Sequence, residues 1–181
     1  MPMPKPSGQD RPKTTCSLYL VRHAIAEERG DDWPDDSKRP LTEKGIAKMQ
    51  QAVQGLDTLD TGIEVVVTSP LVRARQTADL LIDGLKPKPS LDVLPALAPG
   101  ETPAKVAEAL AAYAGRRAIA LVGHEPALGE LGGWLIGANA PIVFKKGGVC
   151  RIDVASLPPE RYGQLVWLAL PMMLRGLAAD E

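Results

Sequence analysis

Three times along this chain a short apolar run of strand-forming residues stops abruptly on polar or cationic side chains. Leu18-Tyr19-Leu20-Val21 runs into Arg22-His23-Ala24, Val65-Val66-Val67 into Thr68-Ser69-Pro70, and Ala118-Ile119-Ala120-Leu121-Val122 into Gly123-His124. Unbroken apolar runs of this length suit strands covered on both faces, the situation of a parallel sheet between helices. Helical patterns lie between them. Thr42 is an N-cap ahead of Ile46, Met49, Val53 and Leu56 on one face, and the stretch opening near Leu71 turns Ala74, Ala78, Leu81 and Leu85 the same way. Thr102-Pro103 supplies cap and first turn for a helix with Val106, Leu110 and Tyr113 inward. Strands and helices in alternation predict a single α/β domain of three layers, α/β/α, with a mostly parallel sheet. In such a sheet the ligand crevice opens beyond the carboxyl ends of the strands.

The remaining stretches fit this plan. A short strand is expected over residues 90–94, after a linker at Lys86-Pro87-Lys88-Pro89. A helix over 127–135 is expected to be interrupted at Gly132-Gly133 and to stop near Gly137. Residues 149–154 and 164–170 alternate as strands around Leu157-Pro158-Pro159, pairing antiparallel at one edge. Residues 1–15, rich in proline, lysine and polar residues, are expected to form a flexible extension, with the folded domain over 16–181. That opening stretch has no apolar run of the secretory kind and no later segment reaches membrane-spanning length, so a cytoplasmic protein without a membrane partner is expected. A net charge of -1 provides no general attraction to nucleic acid. Cys16 and Cys150 sit in strand-like apolar context and are read as reduced, buried small hydrophobes.

The chemistry concentrates at the strand ends. The chain's two histidines, His23 and His124, occupy matching positions after two apolar runs, and Ser69-Pro70 leads into a helix with Arg73 in its first turn. Arg22, His23, Arg73 and His124 therefore converge on one crevice. Arg75, two residues beyond Arg73, points elsewhere on a helix and is read as structural or exposed. A phosphoryl group in transfer carries charge on its equatorial oxygens, so its catalysis is mostly positioning and electrostatic stabilisation. Arginine suits that work through its planar, permanently charged fork. A neutral imidazole is a competent nucleophile near neutral pH, and a second, protonated one can donate to an oxygen of the same group.

The order strand-RHA, strand-SPLVRARQTA, strand-GHE resembles the histidine phosphatase superfamily over roughly residues 18–174, and Arg39-Pro40-Leu41-Thr42-Glu43-Lys44-Gly45 resembles its SixA-like phosphohistidine phosphatase branch. The resemblance implies that His23 is the nucleophile, that Arg22, Arg73 and His124 bind the phosphoryl group, and that neither metal nor other cofactor is needed. The implied partner is a phosphorylated protein carrying a histidine phosphotransfer domain, or a small phosphorylated substrate. Three departures stand out. The family's usual RHG reads RHA here, so Ala24 is expected to put a Cβ where the backbone nears the phosphate. The long insertion of the mutase branch is absent between Ala78 and Ile119, which counts against a phosphoglycerate mutase and suggests a shallow, open crevice. The aspartate that follows the second histidine in the acid phosphatase branch is Glu125 here.

Two readings of Glu125 stay open: a carboxylate favoured by the dipole of the helix it precedes, or a proton donor to the leaving atom. Arg39 is a candidate for the rim of the site. The loop over residues 25–39 holds Glu27, Glu28, Asp31, Asp32, Asp35 and Asp36 around Trp33. It reads as a solvated acidic surface, or alternatively as a rim that turns away polyanionic metabolites. A metal-independent phosphatase acting through phospho-His23 on phosphohistidine in a signalling protein follows. The alternatives are a phosphatase of small phosphoesters or phosphoanhydrides, and a binding module in which Ala24 has cost turnover.

Overall fold

A computed structural model describes residues 16–179 of the chain. The flexible extension expected over residues 1–15 lies outside the described residues. Six strands form one sheet: β1 (Cys16–Arg22), β2 (Val65–Thr68), β3 (Ser90–Val93), β4 (Ala118–Gly123), β5 (Val149–Val154) and β6 (Gln164–Ala169). Their order is β3-β2-β4-β1-β5-β6, parallel from β3 to β1 and antiparallel where β5 joins β1 and β6 joins β5. The mostly parallel sheet with an antiparallel edge is thus the one the patterning predicts. β2 and β4 are buried at every residue, whereas the edge strands β3 and β6 are largely exposed.

Helices cover both faces. α1 (Glu43–Asp57), α2 (Val72–Gly84) and α5 (Pro171–Leu177) pack on one side, where Met49, Val53, Ala78, Leu81 and Leu174 meet Tyr19, Val21 and Val66. α3 (Pro103–Ala109) and α4 (Ala127–Leu135) cover the other, where Val106, Leu128 and Leu131 meet Leu18, Leu20 and Leu121. Strand residues of alternating parity feed the two cores, the period-two rule for a sheet buried on both faces. Among the described residues no helix is long and apolar enough to cross a membrane. Cys16 and Cys150 are free and buried, one on β1 and one on β5, and burial pushes each thiol up to about 12.

The caps behave as their sequences imply: the Thr42 hydroxyl accepts from the Gly45 N–H at 2.9 Å, and Thr102 accepts from the Lys105 N–H. Several details differ from expectation. α4 runs unbroken through Gly132-Gly133, because those glycines serve packing: a Cβ on Gly133 would collide with the Ala140 carbonyl, and one on Gly132 would press on Ile142. α3 tightens into a 3-10 turn at Leu110–Tyr113, which leaves Tyr113 half-buried with its hydroxyl on Asp92 at 2.8 Å. α5 has no counterpart in the sequence reading, being a single short segment behind Pro171 whose apolar residues show no clear period.

Candidate active site

Register brings the two histidines together. β1 and β4 are neighbours, with Arg22 paired to Gly123, so the residue following each strand, His23 and His124, meets the other above the sheet. Their rings lie 5.1 Å apart, centroid to centroid. β2 ends beside them: the Ser69 N–H donates to the Val122 carbonyl at 3.0 Å, and α2 then projects Arg73 toward the same place. A cleft of about 570 Å³ opens there, lined by Arg22, His23, Arg73, His124, Glu125 and, nearer the mouth, Arg39. All six residues singled out in the sequence thus border one cavity. Arg75 does not: it is exposed and pairs with Asp79 one turn along α2.

Each inner side chain is held by a partner. The Nδ1–H of His23 donates to the Ala24 carbonyl at 2.7 Å, which leaves Nε2 as the atom with a free lone pair. Burial pushes the His23 pKa down to about 4, with the charges of Arg73 and Arg22 acting the same way. Nε2 of His124 lies 2.8 Å from the Ser69 hydroxyl, and burial, His23 and Arg73 push this imidazole down to about 3. Burial and the neighbouring cations thus work against the protonated second imidazole expected from the sequence. The Nη1 of Arg22 donates to the Phe144 carbonyl at 2.6 Å, and the N–H of the same residue donates to Glu125 Oε1 at 3.0 Å. Glu125 therefore lines the cleft with one oxygen committed to the backbone of the segment before β5 and the other close against Gly129 of α4.

Among the described residues three buried side-chain nitrogens lack a hydrogen-bond partner: Arg22 Nε, Arg73 Nε and His124 Nδ1. All three belong to this cleft. An unmade hydrogen bond on a buried polar group costs on the order of 1–3 kcal/mol, so orphans gathered at one place mark where a ligand completes the structure. The same residues group no three His, Cys, Asp or Glu side chains in a way that could hold a metal ion.

Two expectations about the surroundings change. Ala24 does not point its Cβ at the cleft; it is 3% exposed inside the apolar core under α1 and α2, and its N–H donates to the Thr77 hydroxyl at 3.0 Å. The acidic loop is not a uniform rim. Asp31 and Asp32 are exposed, Asp35 caps the short 3-10 turn Asp36–Lys38, and Glu27 and Glu28 line the cleft. Asp36 turns inward, its carboxylate meeting Arg73 Nη2 at 3.0 Å, Arg39 Nε at 2.9 Å and Arg29 Nε at 3.2 Å. Arg22, Arg29, Arg39, Arg73 and Lys146 line the cleft with Glu27, Glu28 and Glu125, and with Asp36 behind the arginines five cations stand against four carboxylates.

Sequence reasoning passed over Ser69, Thr77, Phe144 and Lys146, and had Asp36 only as one carboxylate of the acidic loop. Ser69 and Thr77 lie inside the SPLVRARQT stretch already singled out, and a polar residue in so apolar a setting was the available signal. Phe144 acts through its peptide group alone, for which no side-chain pattern exists.

Comparison with known proteins bears on the first part of this site most directly, since the family model spans Arg22, His23, Arg39 and Arg73 and ends before His124. A model of the histidine phosphatase superfamily (branch 1) matches residues 18–98. An uncharacterized protein of Picosynechococcus sp. is 43% identical over 116 residues, 62% of this chain and 68% of that protein. The phosphohistidine phosphatase SixA of Escherichia coli is 28% identical over 160 residues, 87% of this chain and 96% of its own. The solved structure of the protein histidine phosphatase SixA complexed with tungstate aligns with a TM-score of 0.77 at 26% identity, covering 86% of this chain and 97% of that one. With two strand-end histidines side by side, an arginine on each flank, and SixA similar over nearly its whole length, the chain belongs to the histidine phosphatase superfamily.

Proposed function

We propose that this phosphatase works without a metal through a phosphohistidine on His23, and that its substrate is phosphohistidine in a cytoplasmic signalling protein bearing a histidine phosphotransfer domain. The observation that carries the mechanism is the set of three orphaned nitrogens around a neutral His23 whose Nδ1 is already occupied. The lone pair on His23 Nε2 attacks phosphorus, the new N–P bond forming as the bond to the leaving atom breaks. Arg22 and Arg73, with the neutral N–H of His124, hold the equatorial oxygens, in a site where preorganised donors stabilise developing charge at little reorganisation cost. When the leaving atom is an imidazole nitrogen of a ring protonated on its other nitrogen, the ring departs as neutral imidazole and keeps that proton, so no donor from the protein is required. Water then cleaves the N–P bond on His23 and frees inorganic phosphate. The similarity to SixA, whose name states phosphohistidine phosphatase, supports the substrate class.

A second reading, hydrolysis of small phosphoesters or phosphoanhydrides, is favoured by the cationic wall and by the presence of Glu125 in it. There Glu125 would have to protonate the departing oxygen. A substrate panel separates the two: phosphorylated histidine phosphotransfer protein beside sugar and nucleotide phosphates, with EDTA present throughout. The proposal expects kcat/KM for the phosphoprotein to exceed that for sugar phosphates by at least about 10², equivalent to about 2.7 kcal/mol in transition-state binding. Equal efficiency toward a small phosphate would move the second reading into first place, and loss of turnover in EDTA restored by a divalent ion would overturn metal independence.

A further inference from the structure

Arg73 is the largest side chain buried almost completely in this protein, 2% exposed, and both ends of its guanidinium fork are already spoken for by a single residue. Nη1 donates to the Asp36 carbonyl at 2.8 Å and Nη2 to the Asp36 carboxylate at 3.0 Å. A guanidinium offers two usable edges, one between its terminal nitrogens and one that includes Nε. Asp36 takes the first, and the edge with the orphaned Nε is the one left unsatisfied. The other oxygen of Asp36 accepts from Nε of Arg39, itself 8% exposed and tied by Nη1 to the Glu27 carbonyl at 2.6 Å. One carboxylate thus sits between two buried cations and fixes the rotation of both.

From this arrangement we infer that Asp36 is a positioning residue for the phosphoryl clamp: it grips Arg73 from behind, fixes the rotation of its guanidinium at the cleft, and holds Arg39 there as a further cation. Two features argue against Asp36 being a mere occupant that the phosphoryl group displaces. Half of the grip is a main-chain carbonyl, which belongs to the Asp36–Lys38 turn and cannot swing away as a side chain does. That turn is in addition fastened by the Asp35 cap, whose carboxylate accepts from the Ser37 N–H at 3.0 Å, and by the buried Arg39 next to it. Two neighbouring buried arginines need an anion between them, and Asp36 provides it.

The inference rests on the clamp role proposed for Arg73 and is tested separately from it. Wild type and the Asp36→Asn, Asp36→Ala, Arg73→Ala and Asp36→Ala/Arg73→Ala variants of the full chain are compared for kcat/KM on p-nitrophenyl phosphate, vanadate inhibition and melting temperature. Asp36→Asn keeps the shape and should lower kcat/KM about tenfold, with vanadate bound correspondingly less tightly, and Asp36→Ala should cost more. Because Asp36 acts through Arg73, adding Asp36→Ala to Arg73→Ala should change activity by less than about twofold, the non-additivity expected of residues working as one unit. Full additivity of the two alanine variants, or vanadate bound more tightly by Asp36→Asn, would overturn the inference. If Arg73→Ala itself left activity intact, the clamp reading would fall, whereas an active Asp36→Asn beside a crippled Arg73→Ala would sink the positioning role alone.

Discussion

The strand-end cradle and the loop over residues 27–39 are built from the same charged residue types and behave in opposite ways. In the cradle the inner side chains are each held by a buried partner: His23 by the Ala24 carbonyl, Arg22 by the Phe144 carbonyl, His124 by the Ser69 hydroxyl. In the outer loop the charges pair with one another in water, as in Lys38 with Asp35 at 3.6 Å, an arrangement usually worth little because solvent screens it. Arg29 shows the contrast within one residue type, its side chain 77% exposed where that of Arg73 is 2% exposed, although both touch Asp36. Charge alone therefore does not make a site. Burial beside fixed partners does, since it lowers the local dielectric and removes the freedom to reorient.

The comparison breaks most severely at His23. His23→Ala should abolish turnover while leaving the melting temperature within a few degrees of wild type, and rapid quench with labelled phosphoprotein should trap acid-labile, base-stable label on wild type alone. Full turnover by the alanine variant would end the covalent mechanism. Arg73→Ala comes next and should lower kcat by roughly 10²–10³, the scale for losing one preorganised donor to developing charge.

Acid tests the cradle as a whole. Burial chiefly, with Arg73 and Arg22 adding to it, holds His23 down to about 4, against 6.5 for an ordinary imidazole. The acidic limb of kcat/KM set by the nucleophile should accordingly fall near pH 4, and a limb near 6.5 would show a hydrated, ordinary histidine. Stability carries the same sign. A histidine whose folded pKa is depressed refuses a proton that the unfolded chain accepts, so the fold weakens as pH falls from about 6.5 through 4, measurable as a falling melting temperature. His124, held down to about 3, extends that window downward.

The smallest effects belong to the solvent side. Asp31→Asn/Asp32→Asn and Arg75→Ala should each change kcat/KM by less than about threefold, because exposed charges away from a network are energetically small. A larger loss from the Asp31/Asp32 pair, appearing in KM for the phosphoprotein and absent for an aryl phosphate, would promote the outer loop to a docking element.

Much of this could be read before any coordinates. An apolar run ending on a histidine or arginine says both that the run is buried and that the polar residue stands at its end, so Arg22, His23, Arg73 and His124 converge as soon as the strands are parallel and adjacent. Thr42 and Thr102 announced their helices for a similarly local reason, since a cap is satisfied within three residues. Glycines were less legible: Gly132-Gly133 look the same in sequence whether they break a helix or let residues 140–142 approach it.

What only the tertiary structure decided is which groups hold the site. Asp36 reaches Arg73 across 37 residues of chain and Phe144 reaches Arg22 across 122, and no pattern within either segment specifies the other. The inward turn of the Ala24 Cβ and the depth of burial that pulls the pKa of both histidines down also emerged only there. The sequence by itself determined the alternation of buried strands and amphipathic helices, and with it the sheet, the crevice and the residues at its edge, because burial is written in local periodicity. The orientation, partners and protonation of those residues depend on loops closing over long separations and on how much water the closed structure excludes, and these are properties of the packed chain.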